Sequence, residues 1–171
     1  MSAATVDVRP ANLETDADAV TALISDYLSW AIGRLRDTYG VEESPTDLSA
    51  VRESLPAYLP PYGQLIVAES NGDLIGVAAL RTLAPGTAEV KRMYVSPRGR
   101  GLGLGSALLD RLLAEARDSL HAKLIRLDTC RFMTEAQKLY ASRGFIEREP
   151  YEGTEIPAHL QQYWRFFERE L

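Results

Sequence analysis

One cysteine among 171 residues, two histidines and no long apolar run exclude several classes of protein at once. A lone Cys130 closes no internal disulfide and builds no structural zinc site, which takes four ligands. His121 and His159 have no carboxylates clustered near them at ligand spacing, so no metal is expected; His121 is expected at a helix C-terminus, which favours a cation. No stretch approaches the roughly 20 apolar residues that span a bilayer. Residues 1–10 have neither the basic start nor the apolar run of a signal peptide. Basic excess is missing too. The formal net charge is −5, the wrong sign for a general nucleic-acid binder, although a local basic site for an anionic ligand stays open. The chain is therefore expected to be soluble and cytoplasmic, which a single free thiol also suits.

What is present fits one domain over residues 1–171. A hydrophobic content of 46% and a charged content of 25% are those of a globular chain. Val6 to Arg9 reads as a short strand stopped by Pro10. Val20, Leu23, Ile24, Tyr27, Leu28 and Ala31 recur at steps of three and four, which predicts a helix over about 15–35. After a loop over 40–45, Asp47 is a candidate N-cap for a helix over 47–58. The prolines at 56, 60 and 61 break the chain. Strands are expected over 64–70, 73–82 and 87–95, joined by Asn71-Gly72, a strong hairpin signal, and by Pro85-Gly86. The middle of the chain is thus an antiparallel meander.

The stripe Leu108, Leu109, Leu112, Leu113 and Ala116 predicts a helix over 104–120. A strand over 123–129 follows, then a helix over 134–143. Thr134 and Gln137 have capping-box spacing, and Gly144 suits the position just past the helix end. Strands over 145–149 and 161–170 complete the order. A mixed sheet with helices packed on it satisfies this α/β (α+β) pattern.

Arg98-Gly-Arg-Gly-Leu-Gly-Leu-Gly-Ser106 lies between a strand and a helix. Its four glycines let the backbone approach a ligand closely. The helix start presents unpaired N–H groups and a positive dipole end, which suits a pyrophosphate. Lys91, Arg92, Arg98 and Arg100 add positive charge. The dinucleotide fingerprint G-x-G-x-x-G fails in every register, because Leu104 or Ser106 stands where glycine is needed, and the P-loop fails for want of Gly-Lys-Ser/Thr. What remains is Arg-x-x-Gly-x-Gly, at Arg100, Gly103 and Gly105.

This segment resembles the acetyl-coenzyme A signature of the GNAT superfamily of N-acetyltransferases. Leu127-Asp-Thr129, Leu139-Tyr140 and Gly144-Phe145 resemble the later strand, helix and strand of the same fold. The resemblance is strong over about 64–151 and rests on element order elsewhere. It implies a mostly antiparallel mixed sheet flanked by helices, with acetyl-CoA as cosubstrate. Met93, Tyr94 and Val95 would pair with the pantetheine arm, the Val95 N–H facing the acetyl carbonyl. Arg98, Arg100, Gly101, Leu102, Gly103, Gly105 and Ser106 would hold the diphosphate. Tyr140 would protonate the departing thiolate, and Glu89, at the start of the strand, would take the proton of the amine, directly or through water. Relatives often place Asn near the start of the later helix; here Met133 stands there, so that pantetheine contact has no side-chain amide.

The resemblance implies a primary amine of a small molecule or peptide as acceptor, attacking directly in a ternary complex. The acceptor pocket would come from about 36–48, with Asp37, Glu42, Glu43 and Asp47 as an acidic rim, and from 148–159; Tyr151 and Trp164 either line it or belong to the core. Cys130 reads as a buried small residue rather than an acyl carrier. Pairing through the last strands would give a homodimer. The alternative function is a non-catalytic acetyl-CoA sensor or partner-binding domain, which need keep neither Glu89 nor Tyr140. A nucleic-acid module on 91–100 conflicts with the net acidity and with Tyr94 being its lone aromatic.

Overall fold

The computed structural model describes residues 5–171; the first four residues of the stretch read above as carrying no signal peptide lie outside them. Strand β1 (Val6–Pro10) leads into helix α1 (Leu13–Tyr39), which runs longer at both ends than its apolar stripe. Asn12 caps its start by accepting from the Glu14 N–H, and Gly40 ends it. Asp47 caps α2 (Leu48–Ser54) as expected. The helix stops at Ser54 because Pro56 follows, and Leu55–Tyr58 continues as a 3-10 turn.

The meander follows as β2 (Gly63–Ser70), β3 (Asp73–Ala84) and β4 (Thr87–Val95). Helix α3 (Leu104–Asp118) and strand β5 (Leu124–Cys130) come next. His121 lies beyond the last turn of α3 with φ of 52°. Helix α4 (Thr134–Ser142) corrects one expectation. Its N-cap is Met133, and Thr134 makes no capping box with Gln137. Gln137 is buried and donates instead to the Cys130 and Arg131 carbonyls, at 2.9 and 3.2 Å. These bonds tie the first turn of α4 to the end of β5. Strand β6 is only Ile146–Arg148, and β7 begins at Trp164, ending at Glu170, since Ala158–Tyr163 forms a 3-10 turn.

The seven strands lie in the order β1-β2-β3-β4-β5-β7-β6, and every neighbouring pair is antiparallel except β4 and β5. Helices cover both faces. Leu108, Leu109 and Leu112 of α3 pack on Ile66, Leu80, Ile125 and Leu127. On the other side Val20 and Ile24 of α1, with Leu55, pack on Leu65, Val67 and Val77. The run Leu65 to Ala68 is apolar at every position because both faces of β2 are buried.

Leu108 is fully buried at the centre of the α3 contact, which fixes where the N-terminus of α3 points. Leu108→Ala should lower stability by about 2–5 kcal/mol through lost burial and the cavity left behind. Urea unfolding checks this: the midpoint should fall with little change in slope.

Candidate active site

Strands β4 and β5 are zipped together over only three residue pairs, Thr87 with Leu124, Ala88 with Ile125 and Glu89 with Arg126. Beyond Glu89 they part. Strand β4 is bulged there: Val77 of β3 faces Tyr94 while Ala79 faces Lys91, so two steps on β3 span three on β4. Arg92 absorbs the extra residue with φ of 52°, in the left-handed region that a side chain disfavours. Strand β5 stays paired to β7 as far as Cys130 with Trp164. The two parallel strands therefore enclose a wedge-shaped cleft, lined by Lys91, Arg92 and Met93 on one side and Leu127, Asp128 and Thr129 on the other. Tyr27 of α1 and Met133, Ala136 and Tyr140 of α4 complete its wall. The Ser96 N–H donates to the Ile75 carbonyl at 2.9 Å. Strand alternation consequently turns the Val95 N–H the other way, toward the wedge.

Tyr140 enters the cleft from α4. Its ring packs edge-on to Phe145, with centroids 5.9 Å apart, and the side chain is 6% exposed. Burial pushes its phenol well above the ordinary tyrosine range, and the charges of Tyr27 and Asp128 add to this. Cys130 is buried as expected, and burial with the Asp128 charge pushes its thiol up to about 12.

The glycine loop sits at the end of β4. Its four glycines divide by role. A Cβ on Gly99 would meet Leu104 Cδ1 at 2.9 Å and Val95 Cγ1 at 3.0 Å, so that glycine serves packing. Gly101 and Gly103 have φ of 78° and 71°, with nothing within 4 Å of where a Cβ would stand. Gly103 caps α3 with no side chain, and the first bond of the helix is from the Ala107 N–H to the Gly103 carbonyl, at 3.1 Å. The N–H groups of Leu104, Gly105 and Ser106 are thus the open donors of the first turn, at the positive end of the dipole. Open backbone, free amides and exposed Arg98 and Arg100 fit a diphosphate. The four cations read together in the sequence are not together in space: Arg98 pairs with Asp73, and Lys91 and Arg92 belong to a different group.

That group is a buried ion cluster at the closed end of the wedge. Glu89 is fully buried. Its Oε1 accepts from Arg81 Nε and its Oε2 from Tyr151 Oη, both at 2.7 Å. Lys91 Nζ lies 3.3 Å from Asp128 Oδ2, 3.3 Å from Glu155 Oε2 and 3.9 Å from Glu89 Oε1. Desolvation opposes the Lys91 charge, yet Asp128, Glu89 and Glu155 outweigh it and hold its ammonium above the ordinary lysine value. Glu155 is the mirror case. Partial burial disfavours its charge, and Lys91, Arg92 and Arg81 together pull its carboxyl below the ordinary range.

Glu89 accordingly lies behind the cleft, with both carboxylate oxygens engaged, and does not line it. The carboxylate on the cleft wall is Asp128, which the sequence reading passed over. Its place in Leu127-Asp-Thr129 was the available signal, though Arg126 on the same strand face made it read as one of a polar row. Tyr151 is 3% exposed, bridging Glu89 and Asp128 rather than lining the pocket. None of Asp37, Glu42, Glu43 and Asp47 lines the cleft; Asp37 pairs with Arg36, and Asp47 caps α2. Among the described residues no three His, Cys, Asp or Glu side chains gather as a metal-ion site, and no helix is long and apolar enough to cross a membrane.

The chain is similar to known proteins in sequence and in fold. The profile of the acetyltransferase (GNAT) family matches residues 25–145. An uncharacterized N-acetyltransferase of Schizosaccharomyces pombe is 28% identical over 160 residues, 92% of this chain and 93% of its own. The IAA acetyltransferase of Azospirillum brasilense is 35% identical over 136 residues, 78% of this chain and 81% of its own. A GNAT-family acetyltransferase structure from Staphylococcus aureus Mu50 covers 98% of this chain and 99% of its own with a TM-score of 0.75; at 22% identity this is a likeness of fold. The chain belongs to the GNAT family of acetyltransferases, whose acyl donor is acetyl-CoA.

Proposed function

We propose that this enzyme acetylates a primary amine by direct attack within a ternary complex, with Asp128 as the proton acceptor and Tyr140 as the proton donor. The observation that carries this is that both groups line one cleft, with the open first turn of α3 beside the strand that forms its edge. Acetyl-CoA, when bound, supplies the acetyl group as a thioester.

Each residue then has a defined task. The Leu104, Gly105 and Ser106 amides hold the diphosphate, with Arg98 and Arg100 as flanking charges and Gly101 and Leu102 shaping the turn. The unpaired edge of β4 from Met93 to Val95 takes the pantetheine arm as an added strand. The Val95 N–H points where negative charge develops on the carbonyl oxygen. A free alkyl amine has a pKa near 10.4 and arrives as ammonium, so a base is needed at neutral pH. Asp128 is that base. Lys91 and Tyr151 hold its Oδ2, at 3.3 and 3.5 Å. Glu89 acts at one remove, fixing Tyr151 and Arg81. Tyr140 keeps its proton at neutral pH, because burial raises its pKa, and delivers it from Oη to the departing sulfur. Cys130, protonated with a pKa of about 12, does not compete as a nucleophile, which favours direct attack.

A sensor that binds acetyl-CoA without turnover would share the loop and lack the chemistry. Thermal unfolding with coenzyme A should show a raised Tm, by mass action on the folded state. Among amines, thiol release should then appear with at least one; binding without any turnover selects the sensor. Tyr140→Phe should lower kcat by about 10²–10⁴-fold, the range of general acid catalysis. Asp128→Asn should lower kcat/KM over a similar range. Glu89→Gln should cost less than either. An unaltered coenzyme A shift in each variant confirms that folding and cofactor binding survive.

A further inference from the structure

Six aromatic side chains form a continuous strip that starts inside the cleft and runs out of it. Tyr27, on the cleft wall, packs against Tyr94 with centroids 5.7 Å apart and against Trp30 at 6.4 Å. Trp30 meets Phe132 edge-on at 5.7 Å, and Tyr39 lies 6.4 Å from Phe132 and 4.8 Å from Tyr163. Trp30, Tyr39, Phe132 and Tyr163 belong to neither hydrophobic core. Trp30 is 41% exposed, and the Arg34 guanidinium lies over the Phe132 ring at 5.2 Å. Tyr94, on β4, packs against the core beneath α1, while the other rings gather from α1, from the β5–α4 connection and from the turn before β7. The continuity of these half-buried rings with the cleft through Tyr27, ending at the exposed ring of Trp30, makes the acceptor the occupant of the strip.

The cleft itself carries two opposed charges for that occupant. Asp128 is its carboxylate. Arg92 is its guanidinium, held there in a left-handed conformation that a glycine would adopt more easily. The carboxylate nearest to Arg92 is Glu155, at 3.6 Å, on the connection between β6 and β7 and partly exposed. An incoming carboxylate that takes the place of Glu155 at Arg92 leaves Glu155 its contacts with Lys91 and Arg81, at 3.3 and 3.5 Å. Arg34 on the strip, with Lys91 and Arg92 in the cleft, disfavours a polycationic acceptor.

Resting on the acetyltransferase reading above, we propose that the acceptor is a free amino acid with an aromatic side chain. Its amine faces Asp128, its carboxylate pairs with Arg92 in exchange for Glu155, and its ring lies on Tyr27, Trp30 and Phe132. The nitrogen gives one proton to Asp128 and forms the new bond to the acetyl carbon; as the carbon–sulfur bond breaks, Tyr140 passes its proton to sulfur, and the second proton released by the nitrogen restores the phenol.

Thiol release should be measured with L-phenylalanine, L-tryptophan, L-alanine, phenethylamine, L-phenylalanine amide and spermidine. The expected kcat/KM for the aromatic amino acids is about 10–100-fold above alanine, the value of one buried ring. It should also be at least about tenfold above phenethylamine and the amide, which lack the carboxylate that pairs with Arg92. Trp30→Ala should narrow the phenylalanine-to-alanine ratio about tenfold, and Arg92→Met the phenylalanine-to-phenethylamine ratio. A coenzyme A thermal shift confirms that both variants fold. Spermidine, the amide or phenethylamine equalling phenylalanine would overturn the proposal, as would ratios unchanged in the variants. A wild-type protein that shifts with coenzyme A but acetylates no aromatic amino acid overturns this inference alone; no shift at all overturns the reading beneath it.

Discussion

The site depends on a parallel strand pair that is allowed to pair for only three residues. A sheet continued straight across β4 and β5 would satisfy every amide and leave no cleft. Here the bulge at Arg92 bends β4 away while β7 holds β5 in line. The result is an unpaired backbone edge facing an apolar and tyrosine-lined wall. Unpaired amides inside a fold are unfavourable unless something meets them, and in the proposed complex the extended arm of the cosubstrate laid along β4 does so.

Something has to hold the closed end of the wedge, and ionic side chains do this. Arg81, Lys91 and Arg92 stand against Glu89, Asp128 and Glu155, three charges of each sign. The cluster's buried members, Glu89, Lys91 and Asp128, carry a large desolvation penalty, and apolar residues of equal volume would stabilise the fold at least as well. Its use lies elsewhere. Lys91 and Tyr151 fix Asp128 in one orientation from behind, as Arg81 and Tyr151 fix Glu89. A left-handed arginine, buried charge and a helix start without a side-chain cap lie around the cleft and the loop beside it, where function is the expected reason for such departures from good folding practice.

The fold was legible because its signals are local. The leucine stripe of α3, the Asn71-Gly72 turn and Asp47 as a cap each act within a few residues, and each stands where the sequence places it. Proline at 56 and the turn before Trp164 moved element boundaries without changing the order. The glycine loop was legible as an anion site, yet its division into packing and open glycines was not, since Gly99 is constrained by Val95 and Leu104 only once β4 and α3 have met. The same limit hid Asp128. Glu89 and Asp128 are both acids on strands that line the wedge, and which one faces it is set by the register of β4 against β5 and by Tyr151, 62 residues from Glu89 in sequence. The aromatic strip was equally invisible, because its rings are scattered from Tyr27 to Tyr163 and share no periodicity.

The proton traffic of the proposed reaction explains why one cleft holds both groups. An ammonium that becomes an amide must release two protons, and the departing thiolate needs one. Asp128 raises the pKa of Tyr140 by its charge, in addition to the effect of burial. In the proposed reaction Asp128 loses that charge when it accepts a proton from the amine, which leaves burial and Tyr27 to hold the Tyr140 phenol up and makes it a somewhat stronger acid. Loading the base therefore primes the acid, in the order the chemistry requires. A tyrosine in the same pocket without that carboxylate would donate equally well before and after the amine is deprotonated. Linking the two makes protonation of the sulfur follow activation of the nucleophile, and the bonds from Gln137 to the Cys130 and Arg131 carbonyls are what hold the helix of Tyr140 against the end of the strand of Asp128.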